Sequence, residues 1–193
     1  MEIYLCRHGQ TTGDIEDRYG GDYDDHLTDL GKSEAKQLSE KLLNKGINKM
    51  YTSPKIRAQE TAQIVGTALN LIPETIDDLR ERNQNGILTG KKRSDCKRMY
   101  PELVEKVKDY KTTIEGAEDY DSFSKRVLIA LNKISKENKS TVAVITHGGP
   151  IKVILRNISY SFDYKIKDCA IAKLESDKNK FKIVSLDGIV AVE

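Results

Sequence analysis

Val142-Ala143-Val144-Ile145-Thr146-His147-Gly148-Gly149 decides how this chain is to be read. Four apolar residues bounded by polar ones describe a short strand buried on both faces, as strands of parallel sheets packed between helices are. The strand runs straight out into a histidine and two glycines. The same design stands near the other end of the chain, where Tyr4-Leu5-Cys6-Arg7-His8-Gly9-Gln10-Thr11 carries an apolar run into His8 and Gly9. With three histidines in the whole chain, two in one context are not incidental. Each strand would deliver its imidazole to the carboxyl edge of a parallel sheet, the edge at which open α/β sheets bind ligands. Arg7, beside the first of these histidines, points to an anionic ligand.

Working outward, Ile3–Cys6 reads as a buried strand, followed by a polar loop from Gly9 to His26. Thr28 or Asp29 caps a helix with Ala35, Leu38, Leu42 and Leu43 as its apolar stripe and Gly46 as its stop. Ile47–Thr52 suits a second strand, and Ser53-Pro54 opens a helix turning Ile56, Ala62, Ile64, Val65 and Leu69 inward. Ile76–Leu79 reads as a short strand, and the polar stretch 80–118 as holding one or two short helices. Tyr120–Glu137 is an amphipathic helix with Phe123, Val127, Leu131 and Ile134 on one face. A helix beginning at Gly149-Pro150 runs to Asn157, and Ala170–Glu175 with Phe181–Leu186 form a hairpin about Asp177-Lys178-Asn179. The alternation predicts an α/β fold: a three-layer α/β/α sandwich with a mostly parallel central sheet and an antiparallel edge. A length of 193 residues fits one domain, 1–193.

Composition narrows the partners. Lys and Arg number 32 against 30 Asp and Glu, interspersed, for a net charge of +2, which gives no field for nucleic acid or a membrane surface. Lys91-Lys92-Arg93 with Lys97 and Arg98 reads as a solvated helix face. Cys6, Cys96 and Cys169 form neither a disulfide framework nor a zinc pattern, so a reducing cytosol is the default. None of them begins a Cys-x5-Arg phosphatase loop, since Thr12, Glu102 and Glu175 stand six residues on. No leader and no apolar run of membrane-spanning length is seen, and a cytoplasmic protein is expected. The histidine and carboxylate spacing matches no metal-ligand pattern, and arginine beside His8 would repel a cation, so no metal is expected.

The string Arg7-His8-Gly9-Gln10-Thr11 continues through Arg18-Tyr19-Gly20-Gly21 and Leu27-Thr28-Asp29-Leu30-Gly31. It goes on through Ser53-Pro54-Lys55-Ile56-Arg57, Leu79-Arg80-Glu81-Arg82, Gly116-Ala117-Glu118 and Thr146-His147-Gly148-Gly149. In this order, over most of the chain, these segments resemble the histidine phosphatase superfamily, also called phosphoglycerate-mutase-like. The resemblance implies that family's fold and a catalytic set of His8, Arg7, Arg57, Glu81 and His147. The residue chemistry agrees. Phosphoryl transfer needs a nucleophile, cations for the equatorial oxygens and a proton for the leaving group. Neutral His8 can attack phosphorus, Arg7 and Arg57 present planar forks to phosphate oxygens, and His147 can donate a hydrogen bond, most strongly when protonated. Glu81 would protonate the departing alkoxide and then activate water. Bound phosphate would help it hold that proton, so an acidic optimum is expected.

Thr11, Arg18, Gly20, Gly21, Arg82 and Gly148 are the expected substrate contacts, Gly148 through amides at a helix amino terminus. Glu118 is either a structural acceptor or part of the chemistry, and His26 reads as solvated surface. Asp14 stands where many relatives carry an asparagine that holds phosphate. An aspartate there would repel phosphate, so it either points away or pairs with an arginine such as Arg18.

The stretch after Glu81 also resembles that of the mutases, through Leu79-Arg80-Glu81-Arg82-Asn83 and Gly86-Ile87-Leu88-Thr89-Gly90-Lys91-Lys92. Yet Asn83, Gln84 and Asn85 stand where the mutase pattern has a tyrosine. A cap region of about 82–118 is too short for the mutase insertion, and it holds no adjacent arginine pair. The expectation is a metal-independent phosphomonoesterase without a cofactor, acting on a small phosphorylated metabolite. A phosphoglycerate mutase dependent on 2,3-bisphosphoglycerate is the alternative, and a non-catalytic phosphate-binding module a second. Arg82, Lys91, Lys92 and Arg93 are available for a second anionic group, and the terminal hairpin offers an edge for a homodimer contact.

Overall fold

The computed structural model describes residues 1–159, 163–177 and 180–192. In chain order its elements are β1 (Glu2–Arg7), a single-turn α1 (Thr12–Ile15), α2 (Asp29–Leu42), β2 (Ile47–Thr52), α3 (Ile56–Leu69) and β3 (Glu74–Thr75). They continue with α4 (Arg93–Met99), α5 (Pro101–Lys106), α6 (Tyr120–Glu137), β4 (Thr141–Thr146), α7 (Gly148–Ser159), β5 (Asp163–Asp177) and β6 (Lys180–Val192). Alternation along β1 sorts its side chains between two cores. Ile3 and Leu5 pack with Phe123, Val127, Leu131 and Ile134 of α6 and with Ile151, Ile154 and Leu155 of α7. Tyr4 and Cys6 pack on the opposite face with Ala35, Leu38 and Leu42 of α2 and Ala58, Ala62 and Val65 of α3. Burying each large apolar side chain contributes about 1.5–3 kcal/mol, so this two-sided packing is what fixes the layers.

The six strands lie in the order β3-β2-β4-β1-β5-β6. The first four are mutually parallel, while β5 pairs antiparallel with β1 and β6 antiparallel with β5. This is the mostly parallel α/β/α sandwich with an antiparallel edge that the alternation predicts. β1 and β4 are neighbours, but the helices that follow them leave to opposite faces: α2 to one, α7 to the other. A crevice opens beyond the carboxyl ends of two strands so arranged.

Local expectations are corrected in several places. Ser53-Pro54 does not open α3: the helix starts at Ile56, and Lys55 provides no side-chain cap. Asp24 Oδ1 accepts the Ile56 N–H instead, at 3.0 Å. Ile56 is only half-buried. Ile76–Leu79 is not a strand. β3 stops at Thr75, and Asp77–Leu79 forms a 3-10 turn that drops Leu79 into the core. Leu43 lies beyond the end of α2 and is 42% exposed.

The hairpin strands are far longer than their apolar centres: β5 and β6 pair from Asp163 with Val192 to Asp177 with Lys180, with register shifts between Ile166 and Ile171 and at Lys173/Leu174. Lys178 and Asn179 of the expected turn lie outside the described residues. A third cluster, Tyr19, Leu88, Cys96, Val107 and Ile114, forms the cap over the sheet edge. It is tied to the loop after β1 by bonds from Tyr19 N to Lys91 O and from Gly90 N to Tyr19 O, both 2.9 Å. Among the described residues no helix is long and apolar enough to cross a membrane.

Candidate active site

His8 follows β1 and is held by backbone bonds on both sides, its N–H to Thr146 O and its carbonyl from Cys169 N, each 3.1 Å. Gly9 then passes so close to Gly31 at the start of α2 that any side chain would collide with the Gly31 carbonyl. The imidazole is 5% exposed. Its Nδ1 lies 2.8 Å from the Gly9 carbonyl, so Nδ1 carries the hydrogen. Nε2 is left with its lone pair and accepts from Arg57 Nε at 3.2 Å. Burial, then the charges of Arg57 and Arg7, hold the His8 pKa well below 6.5. The ring is neutral, with the Nε2 lone pair turned toward Arg57.

His147, at the end of β4, is fully buried, with its ring centroid 5.0 Å from that of His8. Its Nε2 lies 2.7 Å from Ser53 Oγ, and its Nδ1 accepts from the same Arg57 Nε at 3.2 Å. Burial first, then Arg57 and His8, hold its pKa well below 6.5 too. Arg57 is fixed by the carbonyls of Tyr23 (2.7 Å) and Gly21 (3.0 Å) and by Asp25 Oδ1 (2.8 Å). Arg7 donates to Ile166 O at 2.6 Å and pairs with Asp168 at 3.0 Å. Glu81 accepts from two backbone amides, Arg82 N at 2.8 Å and Gly149 N at 3.0 Å.

Arg7, His8, Arg57, Glu81, Arg82 and Gly148 all line one cavity of about 760 Å³ between the sheet edge and the cap. Two of its guanidinium nitrogens, Arg7 Nε and Arg82 Nη2, are buried without a partner. Buried donors are rarely left unpaired. Orphans of this kind call for an anionic acceptor.

The other expected contacts are placed as follows. Thr11 lines the cavity, but its hydroxyl donates to Asp14 Oδ2 at 2.9 Å, and Asp14 accepts the Thr11 N–H as well. Asp14 is therefore the reciprocal cap of α1, turned to Thr11 and not paired with Arg18. Arg18 bonds Glu16 and the Gly90 carbonyl and so ties the loop to the cap. Gly21 offers its carbonyl to Arg57, and Gly20 its own to Asn85 at 2.8 Å. Arg82 holds the carbonyls of Glu118 and Tyr110. Lys91 bonds the Ile87 carbonyl, whereas Arg93 lines the cavity. His26 is exposed and contacts Glu60 at 2.7 Å. His147 does not reach the cavity wall; it stands behind Arg57. Glu118 is engaged with Arg126.

Sequence reasoning passed over Ser53, Asp25, Asp168 and Arg126. The signal for Ser53 is a hydroxyl directly after the end of β2. Asp25 is one of three aspartates in four residues, and nothing local distinguishes it.

Sheet order and site together define a phosphoglycerate-mutase-like enzyme of the phosphatase type. The model of the histidine phosphatase superfamily (branch 1) matches residues 3–187, and the chain belongs to that family. It is 32% identical to phosphoglycerate mutase-like protein 4 of Arabidopsis thaliana over 157 residues, 78% of this chain and 68% of that protein. It is 31% identical to the metal-independent phosphoserine phosphatase of the same plant over 165 residues, 82% of this chain and 68% of that protein. Among solved structures, YhfR of Bacillus stearothermophilus superposes with a TM-score of 0.85 at 25% identity, covering 95% of each chain.

Proposed function

We propose that the protein is a metal-independent phosphomonoesterase, without a cofactor, that hydrolyses a small phosphorylated metabolite through a phosphohistidine on His8. The observation that carries this reading is the His8 Nε2 lone pair, kept neutral by burial and set against two guanidinium groups. In the first step that lone pair forms the P–N bond while the ester P–O bond breaks, its electron pair leaving with the alkoxide. Glu81 gives the alkoxide its proton. Arg57 and Arg7 take up charge on the equatorial oxygens. In the second step Glu81 removes a proton from water, the hydroxyl attacks phosphorus, and the P–N electron pair returns to Nε2, releasing inorganic phosphate.

His147, which stands behind Arg57, would donate to the phosphoryl group only if its Nδ1 took up a proton and exchanged the Arg57 donor for a phosphoryl oxygen; until then it buttresses Arg57. A nucleophile that stays neutral below pH 6.5 suits an acidic optimum. The test is turnover of an aryl phosphate with chelator present, together with acid-quench trapping of labelled enzyme. His8→Ala is expected to lose activity by about 10³-fold or more and to trap no phosphohistidine; activity surviving in that variant would sink the mechanism. A parent protein that binds phosphate but turns nothing over would be a binding module.

The mutase reading draws support from the names of several relatives, the plant mutase-like protein and the probable phosphoglycerate mutases GpmB of Yersinia among them. Against it, the amides of Asn83 and Gln84 are engaged with the Gly116 and Val107 carbonyls of the cap, and that of Asn85 with Gly20 O in the loop after β1. Rapid 2-phosphoglycerate formation from 3-phosphoglycerate with 2,3-bisphosphoglycerate would decide for the mutase.

A further inference from the structure

Glu81 stands on a segment with no helix or strand bonds of its own, between the 3-10 turn at Asp77–Leu79 and a second one at Gly86–Leu88. A carboxyl group on such a segment meets the leaving oxygen only if something else holds the backbone. Arg126, on α6, does so. Its Nη1 donates to Asp78 O at 2.8 Å and Arg80 O at 2.9 Å, and its Nη2 to Glu81 O at 3.1 Å. The remaining two hydrogens go to the carboxylate of Glu118, from Nε at 2.6 Å and Nη2 at 2.7 Å. All five guanidinium donors are thereby engaged. Glu118 fastens the downstream half, its N–H to Asn83 O at 3.0 Å and its carbonyl from Arg82 Nε at 2.9 Å. Thr146 Oγ1, next to His147, takes the Leu79 carbonyl at 2.7 Å. Of residues 78–83, only Arg82 has a carbonyl not held by Arg126, Thr146 Oγ1 or the Glu118 amide.

We infer that Arg126, braced by Glu118, is a positioning residue for both proton transfers. It touches no reacting atom. It fixes the main chain from which Glu81 projects, and a lysine, with three donors and no plane, cannot bridge three carbonyls and a carboxylate at once. The pair is mostly buried, with side-chain exposures of 11% and 19%, so its geometry is not left to solvent. The inference rests on Glu81 being the acid and base.

The test compares two substrates that differ in their need for a proton. For Arg126→Lys, kcat/KM on glycerol phosphate should fall about 10²-fold, the scale of general acid catalysis. On 2,4-dinitrophenyl phosphate, whose phenolate departs unprotonated, it should fall less than about threefold. Hydrolysis of the phosphohistidine still needs the base, so a burst of one dinitrophenolate per active site should precede slow turnover. Glu118→Gln should show the same asymmetry, with circular dichroism confirming a native fold in each variant. Glu81→Gln should share the signature, and adding Arg126→Lys to it should cost nothing further. Equal losses on both substrates, or additive losses in the double variant, would overturn the role of Arg126 alone. A Glu81→Gln variant indifferent to the leaving group would overturn the acid–base reading, and this inference with it.

Discussion

At the scale of single residues, the contact between Gly149 and Glu81 separates stability from chemistry. A methyl group at Gly149 would occupy the space of Glu81 Oε1, the far end of a flexible side chain, and meets no backbone there. The carboxylate can swing aside, so folding is not penalised. Alanine is also favoured over glycine in a helix by about 1 kcal/mol. Gly149→Ala is therefore expected to melt at the same temperature or higher, yet to lose kcat/KM on alkyl phosphates by about tenfold or more as the acid leaves its place. Thermal melts beside steady-state kinetics check this; unchanged kinetics would show that Glu81 does not work from its observed position.

His8 and His147 were legible because each ends an apolar run, a pattern confined to eight residues of sequence. Ser53, Asp25 and Arg126 were not, because their meaning lies in the imidazole 94 positions from Ser53, the guanidinium 32 from Asp25 and carbonyls 45 to 48 from Arg126. A hydroxyl, a carboxylate and a guanidinium look alike in sequence whether they face water or hold a functional group in place.

At the scale of elements, helical periodicity transmitted most of its information. α6 runs over the span that its stripe predicts, Tyr120–Glu137, with Phe123, Val127, Leu131 and Ile134 all buried. Leu131 is 2% exposed within the core shared with β1 and β4. Leu131→Ala is expected to destabilise by about 2–5 kcal/mol through lost burial and the cavity left behind. Denaturant unfolding measures this, and a cost under about 1 kcal/mol would contradict the packing described. Short or irregular elements were less legible. The start of α3 is set by Asp24, an aspartate from another loop, while Ser53 turns to His147. The strands of the hairpin extend past their apolar centres because β5 and β6 go on pairing with each other, from Asp163 with Val192 to Asp177 with Lys180, beyond the stretch 171–175 that β1 covers.

At the scale of the whole molecule, burying two neutral imidazoles links stability to pH. Both histidines have native pKa values well below the 6.5 of the free side chain. Above pH 6.5 neither state takes up the proton and the linkage is silent. As pH falls through 6.5, the unfolded chain binds a proton on each histidine while the folded chain refuses it, so stability drops. The decline should continue down to the native pKa values. The melting temperature should thus begin to fall below about pH 6.5, and His8→Asn should lessen the slope by one proton's share. A melting curve flat from pH 7 to 5 would contradict the burial of neutral rings.

The pairing of β1 with β4 joins Ile3 to Val142 and Arg7 to Thr146. This edge of the sheet is thus stitched from chain segments well over half the length of the protein apart. Loop closure over such a span is among the slower events of folding. On a ribosome, the amino-terminal strand with its histidine would wait, unpaired on both sides, until β4 and then β5 had been made and released. Enzymatic competence arrives late and all at once, and no nascent fragment ending before β4 could carry out a partial version of the chemistry.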